Sequence, residues 1–133
     1  MRVLYDTNIL VTILSRREAV IELKKLVTEC NITHVTSAHI LSEVEAVLAE
    51  RLGLTKRKAK AAARLLARVS QLVEPSNVQK ISRDPFDDYI IAAAIAGRAD
   101  FLITADKDLL VLDGRLAVRI ISQADFRSAL AKT

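Results

Sequence analysis

The sequence predicts an α/β fold, a three-layer α/β/α sandwich with a central parallel sheet. Short apolar or β-branched segments alternate with helical segments along all 133 residues, an order typical of a parallel sheet with helices on both faces. Hydrophobic residues make up 51% of the chain and charged residues 27%, which indicates an ordered globule. No repeat, low-complexity segment or linker divides the chain, so a single domain over residues 1–133 is expected.

The chain opens with a predicted strand at Arg2–Tyr5, followed at once by the polar run Asp-Thr-Asn. Asp6 or Asn8 can cap the helix that comes next. This helix is expected to end where residues 15–17, Ser-Arg-Arg, interrupt its apolar stripe.

A second helix is predicted over 18–29, and the β-branched segment Ile32–Thr36 is predicted to be the second strand. Ser37 opens a third helix that runs to about Leu52, where Gly53 fits its end. The second helix is expected to turn four apolar residues inward, namely Ile21, Leu23, Leu26 and Val27.

Thr55 caps a fourth helix that is predicted to reach Leu72. Residues 74–77, Glu-Pro-Ser-Asn, form a loop, and Val78–Ile81 is a possible short strand. Asp84 and the following proline start the next helix, because proline is well tolerated at the first helical position. The remaining expected elements are a strand at Phe101–Thr104, a short helix or turn at 106–110, a strand at Leu116–Ile121 and a closing helix capped by Ser122.

Acidic residues occur where such a fold would gather them. Asp6 and Asp106 each end a strand, and Glu43 and Asp88 each lie in the first turns of a helix. In a parallel sheet, the carboxyl ends of the strands meet at one edge, where ligands bind. Converging carboxylates repel one another by about 4 kcal/mol per pair at ~4 Å, so a divalent cation with oxygen ligands is the expected partner.

Structural explanations compete at each of these positions. Asp6 and Asp106 can simply cap helices, and a glutamate near a helix start is favoured by the helix dipole. Glu43 shares its side of the helix with apolar residues, whereas Glu45 lies about 200° away. The spacing alone leaves open whether Asp87 or Asp88 faces the site.

Other functional classes find little support in the composition. Cys30 is the only cysteine, so it cannot form an intramolecular disulfide, and it is expected to be a small buried hydrophobe. A reducing cytoplasm fits this, and no apolar run is long enough for a membrane span. His34 and His39 show no spacing that suits zinc.

One basic segment has a different character. Lys56, Lys60, Arg64 and Arg68 recur every four residues and form a stripe along one helix, in a stretch without any acid. A solvated face is one interpretation, and a contact surface for backbone phosphates is the other. No aromatic residue accompanies the stripe, so base stacking is not expected there.

These motifs resemble the PIN domain family, the VapC-like nuclease toxins of bacterial and archaeal type II toxin–antitoxin pairs. The resemblance rests on four blocks that span most of the chain, which are YDTN at 5–8, SEVEAVL at 42–48, DPFDDYIIAAAIAGRADFLITADKDLL at 84–110 and VRIISQADF at 118–126. It implies a central parallel sheet and RNA cleavage that depends on Mg²⁺ or Mn²⁺.

The resemblance also implies roles for particular residues. The four catalytic and metal-binding acids would be Asp6, Glu43, Asp88 and Asp106, and Asp108 would match a further metal ligand found in some members. Asn8 and Thr104 match supporting polar positions. The implied partners are an RNA substrate, a small antitoxin protein and, because family members often dimerise, a second copy of the chain.

Two other functions compete with this one. A phosphatase of the Asp-x-Asp type needs an aspartate two residues after the first, where this chain has Asn8. A non-catalytic module that binds RNA or protein could use the basic stripe, but four acids would repel RNA in the absence of a cation.

Overall fold

Five strands form one parallel sheet in the computed structural model, which describes residues 1–29 and 31–132. The order across the sheet is β3-β2-β1-β4-β5. The strands are β1 (Arg2–Tyr5), β2 (Thr33–Ser37), β3 (Ser70–Val73), β4 (Phe101–Ile103) and β5 (Arg119–Ile121).

Seven helices in the described residues cover the sheet. They are α1 (Thr7–Leu14), α2 (Ala19–Glu29), α3 (Ala38–Glu50), α4 (Lys56–Val69), α5 (Pro85–Ala96), α6 (Lys107–Leu110) and α7 (Gln123–Ala131). The first four helices pack against one another, and α5 packs across β2 and β4. The predicted three-layer α/β/α architecture is therefore confirmed. Within the described ranges, no helix is both long enough and apolar enough to span a bilayer.

Side-chain caps start the helices largely as the sequence predicts. Each of four cap residues accepts a hydrogen bond from a backbone N–H in the first turn of its helix: Ser37, Thr55, Asp84 and Ser122. Asp6 occupies the cap position of α1 but makes no side-chain cap hydrogen bond. Its carboxylate is therefore free to take part in other interactions.

Two boundaries differ from the prediction because tertiary pairing decides them. The fourth helix ends at Val69, and residues 70–73 form β3 as an edge strand beside β2, with Ser70 opposite His34. Val78–Ile81, predicted as a possible strand, lies outside the sheet. Pairing with β2 is a long-range interaction. A local apolar pattern therefore does not show whether residues 70–73 or Val78–Ile81 form the strand.

Two further expectations are partly wrong. The last strand begins at Arg119 rather than Leu116, and Ile21 is 55% exposed although Leu23 is buried as predicted. The side chains of Leu26 and Val27, and all of Cys30, lie outside the described residues.

The buried helix α5 runs close to the sheet. Ile90, Ile91 and Ala93 are almost fully buried, and Gly97 ends the helix as predicted. A Cβ atom at Gly97 would collide with Val35 of β2. Glycine at this position therefore lets the end of α5 approach the sheet.

The strand order reverses between β1 and β4. The chain places β2 and β3 on one side of β1, then crosses to place β4 and β5 on the other. Such a switch point opens a crevice at the carboxyl ends of the two strands, where ligands bind in open α/β sheets. Asp6 follows β1 directly, and Asp106 follows β4 after two residues.

Candidate active site

A cavity of about 390 Å³ lies at this switch point. Polar side chains dominate its lining, and five of them are carboxylates contributed by four separate segments of the chain. They are Asp6, Glu43, Asp84, Asp87 and Asp106. Residues far apart in the sequence are therefore brought to one place by the parallel sheet and by the starts of α1, α5 and α6.

Thr104 connects the two acids that follow the strands. Its hydroxyl donates a 2.7 Å hydrogen bond to Oδ2 of Asp6 and accepts one of 3.0 Å from the backbone N–H of Asp106. Thr104 is fully buried and Asp6 is nearly so. Burial, and to a smaller degree the charge of Asp106, raises the pKa of Asp6, although hydrogen bonds from Thr104 and from the Thr7 backbone act against this.

Glu43 enters the cavity from the inward side of α3. It is half-buried, next to the buried Val44 and one turn before the buried Val47. Arg51 lies eight residues after Glu43, and it lines the same cavity. Positions i, i+4 and i+8 share one helix face, which explains why Glu43, Val47 and Arg51 all reach it.

Asp87, rather than Asp88, faces the other acids. Burial is the main cause that raises the pKa of Asp87 to about 6, and the charges of Asp106, Asp84 and Asp6 raise it further. Its side chain has one long hydrogen bond, in which the Ser82 hydroxyl donates at 3.3 Å. Of the two aspartates between which the spacing did not decide, Asp87 is the one that lines the cavity.

The side chain of Asp88 points to a different part of the molecule. Its Oδ1 accepts hydrogen bonds from the backbone N–H groups of Ile81, at 2.9 Å, and Ser82, at 2.7 Å. It lines a neighbouring, mainly apolar cavity with Ile91 and Ile95. The expected placement of Asp88 among the clustered acids is therefore corrected: Asp88 anchors the loop before α5.

The remaining expected residues divide between the cavity and its surroundings. Asn8 lines the cavity, and Asp106 both lines it and caps α6 through the N–H of Asp108, at 2.9 Å. Asp108 itself is exposed, is not part of the cavity lining and lies 3.9 Å from Arg83. The expected position of Asp108 as a metal ligand is not supported by this arrangement.

The donor set fits a hydrated Mg²⁺ or Mn²⁺ ion. Within the described part of the chain, no three Asp, Glu, His or Cys side chains already lie in positions to hold a metal ion directly. Mg²⁺ usually keeps several waters and takes only one or two carboxylates directly. Thr7 also lines the cavity, and its buried hydroxyl has no partner among the described residues. A bound water or ligand would satisfy it.

Arg51 was not predicted from the sequence to line the cavity, and Asp84 was predicted only as a helix cap. The four-residue spacing from Glu43 through Val47 to Arg51 was a usable signal for the arginine. Thr7 belongs to the polar run that follows β1, and its burial depends on the packing of α1.

The two histidines lie outside the cavity lining. His34 is buried, and its Nδ1 is 2.6 Å from the hydroxyl of Ser70, which donates to the carbonyl of Leu66. Burial lowers the pKa of His34 to about 4, so it is neutral at physiological pH. His39 stacks on Tyr89 with a centroid distance of 4.1 Å. Both therefore have structural contacts.

The fold and the cavity together define an α/β protein with a carboxylate-lined site at the switch point of a parallel sheet. The family model described as PIN domain matches residues 2–108. This is most of the chain, so the chain belongs to the PIN domain family. The resemblance seen in the sequence is thus confirmed.

A solved structure shares the architecture. A chain of the VapBC2 complex from Rickettsia felis, crystallised with a DNA fragment from the promoter of its genes, superposes with a TM-score of 0.63. The match covers 92% of this chain and 98% of that one, at 16% identity. Identity this low shows a common fold. No curated protein sequence matches the chain significantly.

Proposed function

We propose that the chain is a metal-dependent endoribonuclease that hydrolyses RNA phosphodiester bonds with Mg²⁺ or Mn²⁺. The observation that carries the proposal is the cavity with five carboxylates, in which neighbouring charges help to raise the pKa of Asp87 to about 6. Such a concentration of negative charge is unfavourable unless protons or a cation neutralise it. Membership of the PIN domain family supports a nuclease.

The proposed ligands are Asp6, Glu43, Asp87 and Asp106, acting directly or through waters. Asp87 replaces Asp88 in this set, because the Asp88 carboxylate is occupied by two backbone N–H groups. Asp108 is left out because it is exposed beside Arg83.

A divalent ion in this cavity would supply an activated water and neutralise negative charge on the phosphate. The chain's own residues prepare the site. Thr104 holds Oδ2 of Asp6 in one orientation and links it to the backbone of Asp106. The exposed Asn8 amide offers a hydrogen bond to a water or to the substrate, and Arg51 offers a positive charge to a phosphate.

The proposed biological role is that of the toxin of a toxin–antitoxin pair. The structural neighbour is part of a VapBC complex, and we propose by analogy a small antitoxin protein as the partner of this chain. A cytoplasmic location and a homodimer belong to the same proposal.

The test is cleavage of a labelled RNA oligonucleotide in Mn²⁺ by wild-type protein and by Asp6→Asn, both free of contaminating nuclease. The wild type should cleave, and the variant should lose more than roughly a hundredfold in rate, since even residues that only support metal ligands contribute 10–100-fold. Glu45→Gln, which removes a charge from α3 outside the cavity lining, should retain wild-type activity. Full activity in Asp6→Asn would refute the assignment.

The basic surface of α4 favours a second candidate, a module that binds RNA without cleaving it. A Mn²⁺ titration followed by thermal unfolding separates the two. An ion at a hundred times its dissociation constant should stabilise a metal enzyme by about 2.7 kcal/mol. A module without a metal site should show little change in its melting temperature.

A further inference from the structure

Four basic side chains follow one another along the exposed surface of α4. We call Lys56, Lys60, Arg64 and Arg68 the basic row; all four are exposed and none forms an ion pair with another described residue. The buried side of the helix is made by Ala59, Ala63 and Leu66. Residues four apart lie ~6 Å apart along the helix axis, and the row turns about 40° around the helix at each step.

Helix stability does not explain this row. Like charges at four-residue spacing destabilise a helix, and α4 contains no acidic residue. Its first turn carries Lys56, Arg57 and Lys58, where the helix dipole disfavours positive charge. A polyanion lying along the helix would offset this repulsion, because each cation would then have a negative charge beside it.

The basic row begins next to the acidic cavity. Arg51, at the end of α3, lines the cavity and makes no ion pair with a described carboxylate. The turn after it folds back onto α3, because the N–H of Leu54 donates to the carbonyl of Leu48 at 3.1 Å. The start of α4 is therefore held beside the end of α3 that carries Arg51.

The other end of the row lies at the opposite edge of the sheet. α4 leads into β3, whose first residue, Ser70, is paired with His34 near the amino end of β2. The cavity lies at the carboxyl edge. The basic row thus leads from the neighbourhood of the cavity towards the amino edge of the sheet.

We infer that single-stranded RNA lies with its phosphate backbone along the basic row and enters the cavity past Arg51, an inference that rests on the proposed function. A single row of cations matches one strand. The cavity, at about 390 Å³, is near the lower end of the size range of small-molecule pockets and suits one nucleotide rather than a duplex. Because α4 has no aromatic residue, its contacts are with phosphates and tolerate any base sequence.

Binding is tested in EDTA, where it does not depend on cleavage, with a fluorescein-labelled 20-nucleotide oligouridylate. The triple variant K60Q/R64Q/R68Q should bind roughly a hundredfold more weakly at 0.1 M salt, and the slope of log affinity against log salt should fall by about 2, since each single-strand phosphate contact contributes ~0.7. The control K80Q/R98Q/R115Q removes the same charge from exposed positions outside the row and should keep the wild-type slope.

Equal losses in the two triple variants would overturn the inference, because they would show a general effect of net charge. Tighter binding of the wild type to a 20-base-pair RNA duplex would overturn it as well. The melting temperature of K60Q/R64Q/R68Q should not fall, since the substitutions relieve repulsion within α4.

Substrate length separates this inference from the proposed function. In Mn²⁺, K60Q/R64Q/R68Q should raise the KM for the 20-nucleotide substrate but leave cleavage of a tetranucleotide unchanged, because the short substrate does not reach the row. Equal effects on both lengths would contradict the inference. If the wild type cleaved neither, the proposed function would fail, and the binding measurement in EDTA would still decide whether the row holds RNA.

Discussion

Asp87 and Asp88 are adjacent in α5 and equally buried, at 5% and 6% exposure, yet their surroundings are opposite. Asp88 accepts two short hydrogen bonds from backbone N–H groups. Asp87 has one long bond to a hydroxyl and faces the charges of Asp106, Asp84 and Asp6. The comparison shows that burial alone does not distinguish the two acids; they differ in whether backbone N–H groups or other carboxylates surround them.

The helix geometry accounts for the difference. Successive residues point about 100° apart around a helix, and the start of α5 lies between two cavities. One residue therefore points towards the acidic cavity at the carboxyl edge, and the next points towards the loop before the helix. A shift of one residue in this helix would place Asp88 where Asp87 now lies.

The largest expected difference between the two acids is in catalysis. Asp87→Asn should lower RNA cleavage in Mn²⁺ by more than roughly a hundredfold, as expected for a residue closer to the metal than the supporting groups that contribute 10–100-fold. Asp88→Asn keeps an oxygen for the N–H groups of Ile81 and Ser82 and should stay within a few-fold of the wild type. The reverse order of rates would restore Asp88 as the ligand.

The next largest effect is on stability, and here the substitution of Asp88 is expected to have the larger effect. Asp88→Ala should lower the free energy of unfolding by about 2 kcal/mol, because two partly buried backbone N–H groups lose their partner. Urea unfolding at pH 7 in EDTA measures this. Asp87→Ala should not destabilise the protein to this extent, and an equal loss in both variants would remove the distinction between anchoring and clustered acids.

The smallest effect concerns the pH dependence of stability. The pKa of Asp87 is raised from 3.8 to about 6 in the folded protein, so the folded state holds this proton more tightly than the unfolded state. Its contribution to stability is present below about pH 4 and is lost as the pH rises through 6. In EDTA at pH 8, Asp87→Asn should therefore melt roughly 3–6 °C above the wild type.

The same gain should become much smaller near pH 4, where Asp87 is protonated in the folded state and close to half protonated in the unfolded state. A thermal unfolding series from pH 4 to pH 8 checks the sign. A constant difference across the series would mean that the substitution acts through packing and not through the charge of Asp87.

Local chemistry made much of this molecule predictable. The caps Ser37, Thr55, Asp84 and Ser122 are short-range features, and each starts the helix expected of it. Asp6, Glu43 and Asp106 could be selected because strand ends and helix starts in a parallel sheet share one edge, and all three line the cavity. Their role as metal ligands remains a prediction.

Long-range packing decided the features that local sequence patterns did not predict. Residues 70–73 became a strand because β2 offered an edge to pair with, although they continued a helical pattern. The position of Arg51 in the cavity depends on how α3 lies against α1. Neither contact has a signature within a short window of residues.

The amino-acid sequence by itself determined the alternation of strands and helices, most of the helix starts and the set of acids available to the cavity. Only the tertiary structure decided which of two neighbouring aspartates joins that set and which holds a loop. The physical reason is that a periodic pattern specifies which residues share a face. The elements packed around a helix set the direction of that face. They therefore also decide whether a carboxylate on it meets N–H donors or other carboxylates.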